Sequence, residues 1–342
     1  MKIRDAKYIV SPVYDWLFFI GSPLIACALG TALVRFIAAG YPETVHWWGN
    51  EASLSGLLAL TQAHLVAVFF RSHGNPQIFK QFPWRFTLVP VLLLASIFYS
   101  SWLMALAGFI VVWWDVYHTS QQNFGLARIY DARSGNGIPE GRCMEKMYHL
   151  IFYLCPILAG SYLMAHVNGF MAFRAMKLDF LGVTLPEWVQ KHAESIRYVA
   201  IGLGTLALIS FLVFECRRHR GGYRYPFPKV MIIFSTVLCS ILAWGFNKFG
   251  DAYFIVNLYH AVQYFAIVWA TEQKQDGSVL FRVQRSHGKA IAFLFFFIPP
   301  IIVGTWFEFG SWQKLTLALL LTCALLHFWY DGFIWSVRKK SV

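Results

Sequence analysis

The sequence predicts an all-α integral membrane protein, a bundle of about ten transmembrane helices with both termini in the cytoplasm. Three observations predict this fold class. Of the 342 residues, 58% are hydrophobic, only 13% are charged, and the basic residues fall in short clusters between long apolar runs. A soluble domain carries about a quarter charged residues, so most of this surface is expected to face lipid. The 14 Trp and 16 Tyr are typical of a protein with two membrane interfaces.

Ten segments are apolar over most of the roughly 20 residues that a transmembrane helix needs. We place them at 16–38, 53–71, 86–100, 102–128, 147–167, 197–215, 230–247, 252–271, 290–308 and 315–335. The third is short, and the break at Tyr99-Ser100-Ser101 predicts a hairpin of the third and fourth helices. The pair Pro299-Pro300 is predicted to kink or break the ninth helix, because proline lacks the N–H that a helix needs.

The distribution of charge predicts the orientation of these helices. In the ten-helix arrangement, most of the 29 Lys and Arg residues lie in loops and tails on one side. We expect that side to be cytoplasmic, because cytoplasmic loops carry an excess of basic residues. These loops explain the net charge of +12. No nucleic-acid motif accompanies it, so membrane lipids and not nucleic acid are the expected partners.

Residues 1–342 are expected to form a single polytopic membrane domain. The largest segment on the outer side, at about 168–196, mixes apolar and charged residues, which is typical of a helix lying on the membrane interface. The six cysteines are scattered, and none forms a CxxC pair. We interpret them as small core residues in a reducing compartment.

Four histidines within the predicted spans are the first candidates for chemistry: His64, His118, His260 and His327. An ionisable group in a bilayer is costly, so each is a functional hypothesis by default. Measured along their helices at 1.5 Å per residue, all four lie roughly 10–18 Å from the cytoplasmic ends. They are therefore predicted to share one layer in the inner half of the membrane, as metal ligands.

Polar neighbours accompany these histidines at helical spacing. Asp115, Gln122 and Tyr264 are the predicted catalytic residues, because they share helix faces with His118 or His260. Four further residues are predicted to support the ligands: Gln62, Asn257, Gln263 and Asp331. A metal site in a helical bundle needs imidazoles together with carboxylates or amides that hold their second ring nitrogens. The alternative is a set of ordinary interhelical hydrogen bonds.

Two arginines, Arg71 and Arg128, lie at the predicted inner ends of the second and fourth helices. They are candidates for contact with a substrate anion. The alternative is a role in topology and in contact with lipid headgroups.

Three segments carry a resemblance to known proteins: QAHLVAVFFRSH at 62–73, DVYHTSQQNFGLARIYDARSG at 115–135 and NLYHAVQYFAIVW at 257–269. They resemble a group of bacterial polytopic membrane proteins with a His-plus-Arg helix, an H-x-x-x-Q-x-x-G helix and an H-x-x-Q-Y helix. The layout is also similar to that of the membrane-embedded carotene-cleaving dioxygenases that accompany microbial rhodopsins. This resemblance implies a bacterial inner membrane and a non-haem iron held by His64, His118 and His260, with His327 as a further candidate.

Three functions are open on this basis. The leading hypothesis is a metal-dependent membrane oxidoreductase or oxygenase, with iron as cofactor, a lipid or isoprenoid substrate and an electron-donor protein as partner. The second is a redox protein that binds haem b without covalent attachment, since two facing helices can supply axial histidines. The third is a transporter or lipid-handling scaffold without catalysis.

Overall fold

The computed structural model describes residues 7–40, 52–137, 141–160, 177–247, 249–310 and 313–335, with residues 163, 167, 170, 173 and 174. Nearly all of these residues are helical, and none of them lies in a strand. The all-α fold class is therefore confirmed for the part of the chain that the structure describes.

Fourteen α-helices and two π-helical turns make up these ranges. The π-helical turns are Trp16–Ile20 and Phe180–Thr184. The α-helices are α1 (Pro12–Asp15), α2 (Ser22–Gly40), α3 (Ala52–Ser72), α4 (Pro76–Gln81), α5 (Pro83–Tyr99), α6 (Ser101–Arg133), α7 (Arg142–Ala159), α8 (Leu185–Lys191), α9 (Ala193–Arg220), α10 (Phe227–Phe246), α11 (Phe249–Glu272), α12 (Val279–His287), α13 (Lys289–Phe309) and α14 (Lys314–Ile334).

A helix occupies each of the ten segments that the sequence predicts, although α7 ends at Ala159. Among the described residues, five helices are long and apolar enough to cross a membrane: α9, α10, α11, α13 and α14. The number rises to seven if each of two bent helix pairs is a single span. Ten spans remain a prediction, and residues 1–6 and 336–342, at the two termini, lie outside the described residues.

The surface of α9 is typical of a helix that faces lipid. Within an apolar stretch of 18 residues of α9, only 22% of the residues are buried in the protein. Large apolar side chains are exposed along it: Val199, Ile201, Leu203, Leu206, Ile209 and Leu212. So large an apolar surface would not be stable in water, and a bilayer accounts for it.

Two helix breaks follow from local chemistry. The segment Pro12–Ile20 and α2 meet at Gly21 with a bend of 47°, and α5 and α6 meet at Ser100 with a bend of 115°. Ser100 has extended backbone angles, and its hydroxyl accepts a hydrogen bond from the N–H of Leu103 at 3.2 Å. It therefore caps α6 while ending α5, and the predicted break at this position is confirmed.

The chain divides into two compact units. Unit 1 comprises Met1–Gly40 and Val112–His260, and unit 2 comprises Tyr41–Val111 and Ala261–Val342. The long helices α6 and α11 contribute residues to both units. A single membrane domain over the whole chain stays a prediction.

In unit 1, buried ionic side chains connect four helices. Lys229 Nζ of α10 lies 2.9 Å from Asp131 Oδ2 of α6 and 2.8 Å from Glu145 Oε1 of α7. Arg128 of α6 pairs with both carboxylates, and Arg218 of α9 pairs with Glu145. Three buried cations thus share two carboxylates, with Glu215 as a third acidic partner for Arg218. We call these six residues the ion cluster.

In unit 2, α13 packs along α3 and is continuous through Pro299 and Pro300. Of the predicted kink or break, the break does not occur. Gly304 of α13 lies directly on the backbone of α3 at Ala59 and Ala63. We infer that this close packing holds the helix together where the prolines remove hydrogen-bond donors.

Replacing Gly304 with Ala is expected to lower the free energy of unfolding by about 1–3 kcal/mol, as overpacking does in a close-packed interior. The added Cβ would overlap the carbonyl oxygen of Ala59 and the backbone nitrogen of Ala63. Gly202→Ala is the matched control, because a Cβ at Gly202 meets no atom within 4 Å. Thermal unfolding in detergent compares the two variants. Equal melting temperatures would contradict the close packing at Gly304.

The predicted interfacial segment 168–196 falls partly outside the described residues. Its described part contains the π-helical turn Phe180–Thr184, then α8 and the start of α9. The exposed Phe180 and Trp188 are apolar. Its position on the outer interface stays a prediction.

Candidate metal-binding sites

In unit 2, the structure brings together two of the predicted ligands. His64 of α3 and His327 of α14 have ring centroids 4.9 Å apart and nearly perpendicular rings, at 88°. Both side chains are buried. A ring nitrogen of each lies within 4.8 Å of the other, the separation expected of groups that could hold a metal ion. We call these residues the unit 2 histidine pair.

The backbone fixes which nitrogen of His64 can bind a metal. Nδ1 of His64 forms a hydrogen bond with the carbonyl oxygen of Thr61, one turn earlier in α3. A carbonyl only accepts, so Nδ1 carries the proton and a neutral His64 has its lone pair on Nε2. Metal-binding histidines commonly use this arrangement, in which one ring nitrogen is held by a carbonyl and the other binds the ion.

A carboxylate accompanies His327 at helical spacing. Oδ2 of Asp331 lies 3.8 Å from Nε2 of His327. Oδ1 of the same carboxylate accepts hydrogen bonds from the hydroxyl of Tyr264, at 2.8 Å, and from Nε1–H of Trp335, at 3.0 Å. The Tyr264 ring packs against His327 with a centroid distance of 4.5 Å. Asp331 is thus held in place beside His327 from two sides.

Arg71, near the end of α3, lies beside Trp335, the residue that donates to Asp331. Its guanidinium lies 3.9 Å from the ring centroid of Trp335 and forms a buried ion pair with Glu272. Nη2 donates to the carbonyl oxygen of Ile334 at 3.2 Å, and the amide of Asn75 donates to Glu272 at 2.9 Å. Arg71 is fully buried, so its described contacts are internal. Contact with a substrate anion or a lipid headgroup stays a prediction.

In unit 1, the structure brings together the other two predicted ligands. His118 of α6 and His260 of α11 have ring centroids 4.9 Å apart, with the rings at 76°. Both are buried. The amide of Gln122 donates to the carbonyl oxygen of His260 at 3.2 Å, which connects the two helices beside the rings. We call His118 and His260 the unit 1 histidine pair.

One turn before this pair, a second carboxylate is buried. Oδ2 of Asp115 accepts a hydrogen bond from the amide of Asn257 at 3.3 Å, and the same amide donates to the carbonyl of Tyr253 at 3.0 Å. The predicted catalytic Asp115 and the predicted supporting Asn257 are therefore in direct contact across α6 and α11.

The surroundings of the other three predicted residues are as follows. The side chain of Gln62 forms a hydrogen bond with Glu308 of α13. Gln263 is fully buried on α11. Arg128 belongs to the ion cluster, where it lies 2.7 Å from Asp131 and 3.2 Å from Glu145.

Three residues that contact His64, Arg71 or Asp331 were not predicted: Thr61, Glu272 and Trp335. Trp335 caps the end of α14 four residues after Asp331, so the sequence spacing already indicates that the two side chains can meet. Glu272 directly follows the predicted span 252–271, and its ion pair with Arg71 depends on two distant helices. The Thr61 contact uses a backbone carbonyl, which no side-chain pattern reveals.

Histidine is among the commonest metal ligands, and a nearby carboxylate suits iron or zinc. Within unit 2, the ligand atoms of His64 and His327 lie within 4.8 Å of each other, and so do those of His327 and Asp331. In unit 1, the rings of His118 and His260 are adjacent. These residues are therefore candidates to hold a metal ion. The donor atoms and their buried surroundings fit such an ion.

No protein-family model, curated protein or solved structure matches this chain. The resemblance to the carotene-cleaving dioxygenases stays a prediction. What the described residues define is an all-helical protein with several helices able to cross a membrane, and with buried histidines on five of its helices.

Proposed function

We propose that this chain is a metal-dependent membrane oxidoreductase acting on a lipid-soluble substrate, with His64, His118, His260 and His327 as the metal ligands. One observation carries the proposal: the four histidines are buried as two close, nearly perpendicular pairs, each formed by two helices. Imidazoles are costly to bury in an apolar bundle, so two such pairs favour a ligand role over a packing role.

Iron is the proposed metal, because imidazole and carboxylate form the ligand set of non-haem iron oxygenases. When bound, iron would supply an open coordination position for oxygen chemistry. A lipid or isoprenoid would reach the site from the membrane, and an electron-donor protein would supply electrons. The proposed location is a bacterial inner membrane, with both termini in the cytoplasm.

The residues around the ligands have definable tasks. The carbonyl of Thr61 holds the proton on Nδ1 of His64 and directs Nε2 as the donor atom. Asp331, fixed by Tyr264 and Trp335, orients His327 and balances positive charge that a metal would bring. The buried setting keeps water away, which strengthens these electrostatic contacts.

The test is elemental analysis and an absorption spectrum of the detergent-purified protein, beside His118→Ala and His149→Ala. His149 is the matched control, because it is a buried histidine of unit 1 that belongs to neither pair. We expect stoichiometric iron in the wild type and in His149→Ala. Loss of a residue that merely orients a ligand typically lowers metal affinity by roughly 10–100-fold. His118→Ala removes a ligand itself, so we expect its metal affinity to fall by at least that factor.

Other outcomes separate the competing functions. A Soret band would identify haem and replace the non-haem proposal. Absence of metal in wild-type protein prepared without chelators would contradict the proposal and favour a transporter or scaffold. Equal iron in wild type and His118→Ala would remove His118 from the ligand set.

A further inference from the structure

Unit 1 contains a pair of thiols that the histidine pairs do not use. Cys27 of α2 and Cys239 of α10 share a hydrogen bond between their sulfur atoms, and the side chain of Thr31 forms a second hydrogen bond with Cys27. Both cysteines are buried, Cys239 completely. Two thiols from helices far apart in sequence are therefore in direct contact.

The two thiols differ in access. A groove of about 500 Å³ opens beside α2 and α10, and Cys27 is part of its wall. The other lining side chains are mostly apolar: Leu24, Ala28, Ala32, Leu242 and Phe246. Cys239 does not line this groove. Cys27 can therefore meet a small or chain-like molecule in the groove, whereas Cys239 is buried behind it and has Cys27 as its neighbouring thiol.

This arrangement has the parts of a redox-active dithiol. A reactive cysteine needs access and stabilisation of its thiolate, and hydrogen bonds from Cys239 and Thr31 can stabilise the thiolate of Cys27. Such cysteines are commonly placed next to a second, resolving cysteine. Cys143 and Cys216, by contrast, are exposed single thiols and provide an internal comparison.

We propose that Cys27 and Cys239 form a site that reduces a hydroperoxide and closes to a disulfide. The thiolate of Cys27 attacks the hydroperoxide; the O–O bond breaks, an S–O bond forms, and the departing oxygen takes the thiol proton as an alcohol or water. Sγ of Cys239 then attacks the sulfenic sulfur; an S–S bond forms, the S–O bond breaks, and water leaves with the second proton. The two thiols supply the two electrons that reduce the O–O bond.

The hydroperoxide group can come from two sources. The apolar wall of the groove suits the chain of a lipid hydroperoxide, whereas hydrogen peroxide would need only the opening. In either case the product ties α2 to α10 by a covalent bond, and thiol–disulfide exchange with a reductant restores the pair. This site is independent of metal binding.

The experiment uses the full chain in nanodiscs, reduced and then exposed to hydrogen peroxide or to linoleic acid hydroperoxide. Remaining thiols are blocked with N-ethylmaleimide in denaturant, and digestion without reductant is followed by mass spectrometry. We expect a linked peptide pair of Cys27 with Cys239 that a thiol reductant abolishes. Faster linkage with the lipid hydroperoxide assigns a lipid source, and faster linkage with hydrogen peroxide assigns an aqueous one.

Variants separate the two roles. In Cys239→Ser, the sulfenic acid at Cys27 persists, and dimedone should label it at least several-fold more than in the wild type. Cys143→Ser is the control and should leave the linkage unchanged. The proposal is overturned if neither hydroperoxide links Cys27 to Cys239 while Cys143 and Cys216 become oxidised. This result needs only the wild type, so it does not depend on the folding of a variant.

Discussion

Replacing Glu145 with Gln is expected to destabilise the protein by about 3–5 kcal/mol, the cost of breaking a buried ion pair from one side. Glu145 is buried and pairs with Lys229, Arg128 and Arg218. Its removal leaves three buried cations with Asp131 and Glu215 as their acidic partners. Unfolding in detergent, followed by circular dichroism, measures the change in free energy.

Two further variants test whether the loss of the Glu145–Lys229 ion pair explains the effect. Lys229→Met removes one of the cations that pair with Glu145. The double variant Glu145→Gln/Lys229→Met removes both partners, so it is expected to lose less stability than the sum of the two single variants. Arg142→Gln changes an exposed residue of the same helix and should alter stability by no more than about 0.5 kcal/mol. If the changes in the free energy of unfolding of the two single variants add up to that of the double variant, Glu145 and Lys229 are not coupled.

The pH dependence of stability gives a second readout of the same pairing. Burial alone would raise the pKa of Glu145, but Lys229, Arg128 and Arg218 outweigh it and hold this pKa below its ordinary value of 4.5. The carboxylate therefore contributes its full stability above pH 4.5, and the contribution is lost as the pH falls through the folded-state pKa. The difference between wild type and Glu145→Gln should be full at pH 7 and shrink below pH 4.5.

The positions of the helices could be predicted from sequence because long apolar runs set them. The predicted break at Ser100 has an equally local cause, a serine that caps the next helix. At Pro299-Pro300 a kink or a break was predicted, and the break does not occur. We infer that packing of Gly304 on α3, a contact between distant segments, outweighs the local preference of the prolines.

The candidate sites were predictable in composition but not in pairing. Periodicity placed Asp115 and Gln122 on the face of His118, and the structure connects both to α11. The pairing of the histidines depends on which helices are neighbours in the fold. The residue pattern within one helix does not contain that information. His64 meets His327 across 263 positions of sequence, and only the fold determines that.

The ion cluster was missed for a related reason. Arg128, Arg218 and Lys229 lie at helix ends, where hydropathy favours a loop charge or a topology signal. The structure buries all three against carboxylates. Positive charge near a helix end has the same signature whether it faces solvent or a buried acid, so sequence alone could not separate the two.

Replacing Asp331 with Ala is expected to weaken metal retention by roughly 10–100-fold, the usual cost of losing a residue that orients a ligand histidine. Asp331 lies 3.8 Å from Nε2 of His327 and is held by Tyr264 and Trp335. Without it, His327 loses its carboxylate neighbour. The measurement is the iron retained by the purified protein after dialysis against increasing concentrations of a chelator.

The controls for Asp331 distinguish its orienting role from a general loss of structure. Tyr264→Phe removes one hydrogen bond to the carboxylate and should cost less than Asp331→Ala, because Trp335 still donates. Asp276→Ala removes an exposed carboxylate of unit 2 and should leave iron retention unchanged. If Asp331→Ala retains iron like the wild type while His327→Ala loses it, Asp331 has no part in orienting the ligand. If both retain it, His327 is not a ligand, because a metal bound through its imidazole could not survive its removal unchanged.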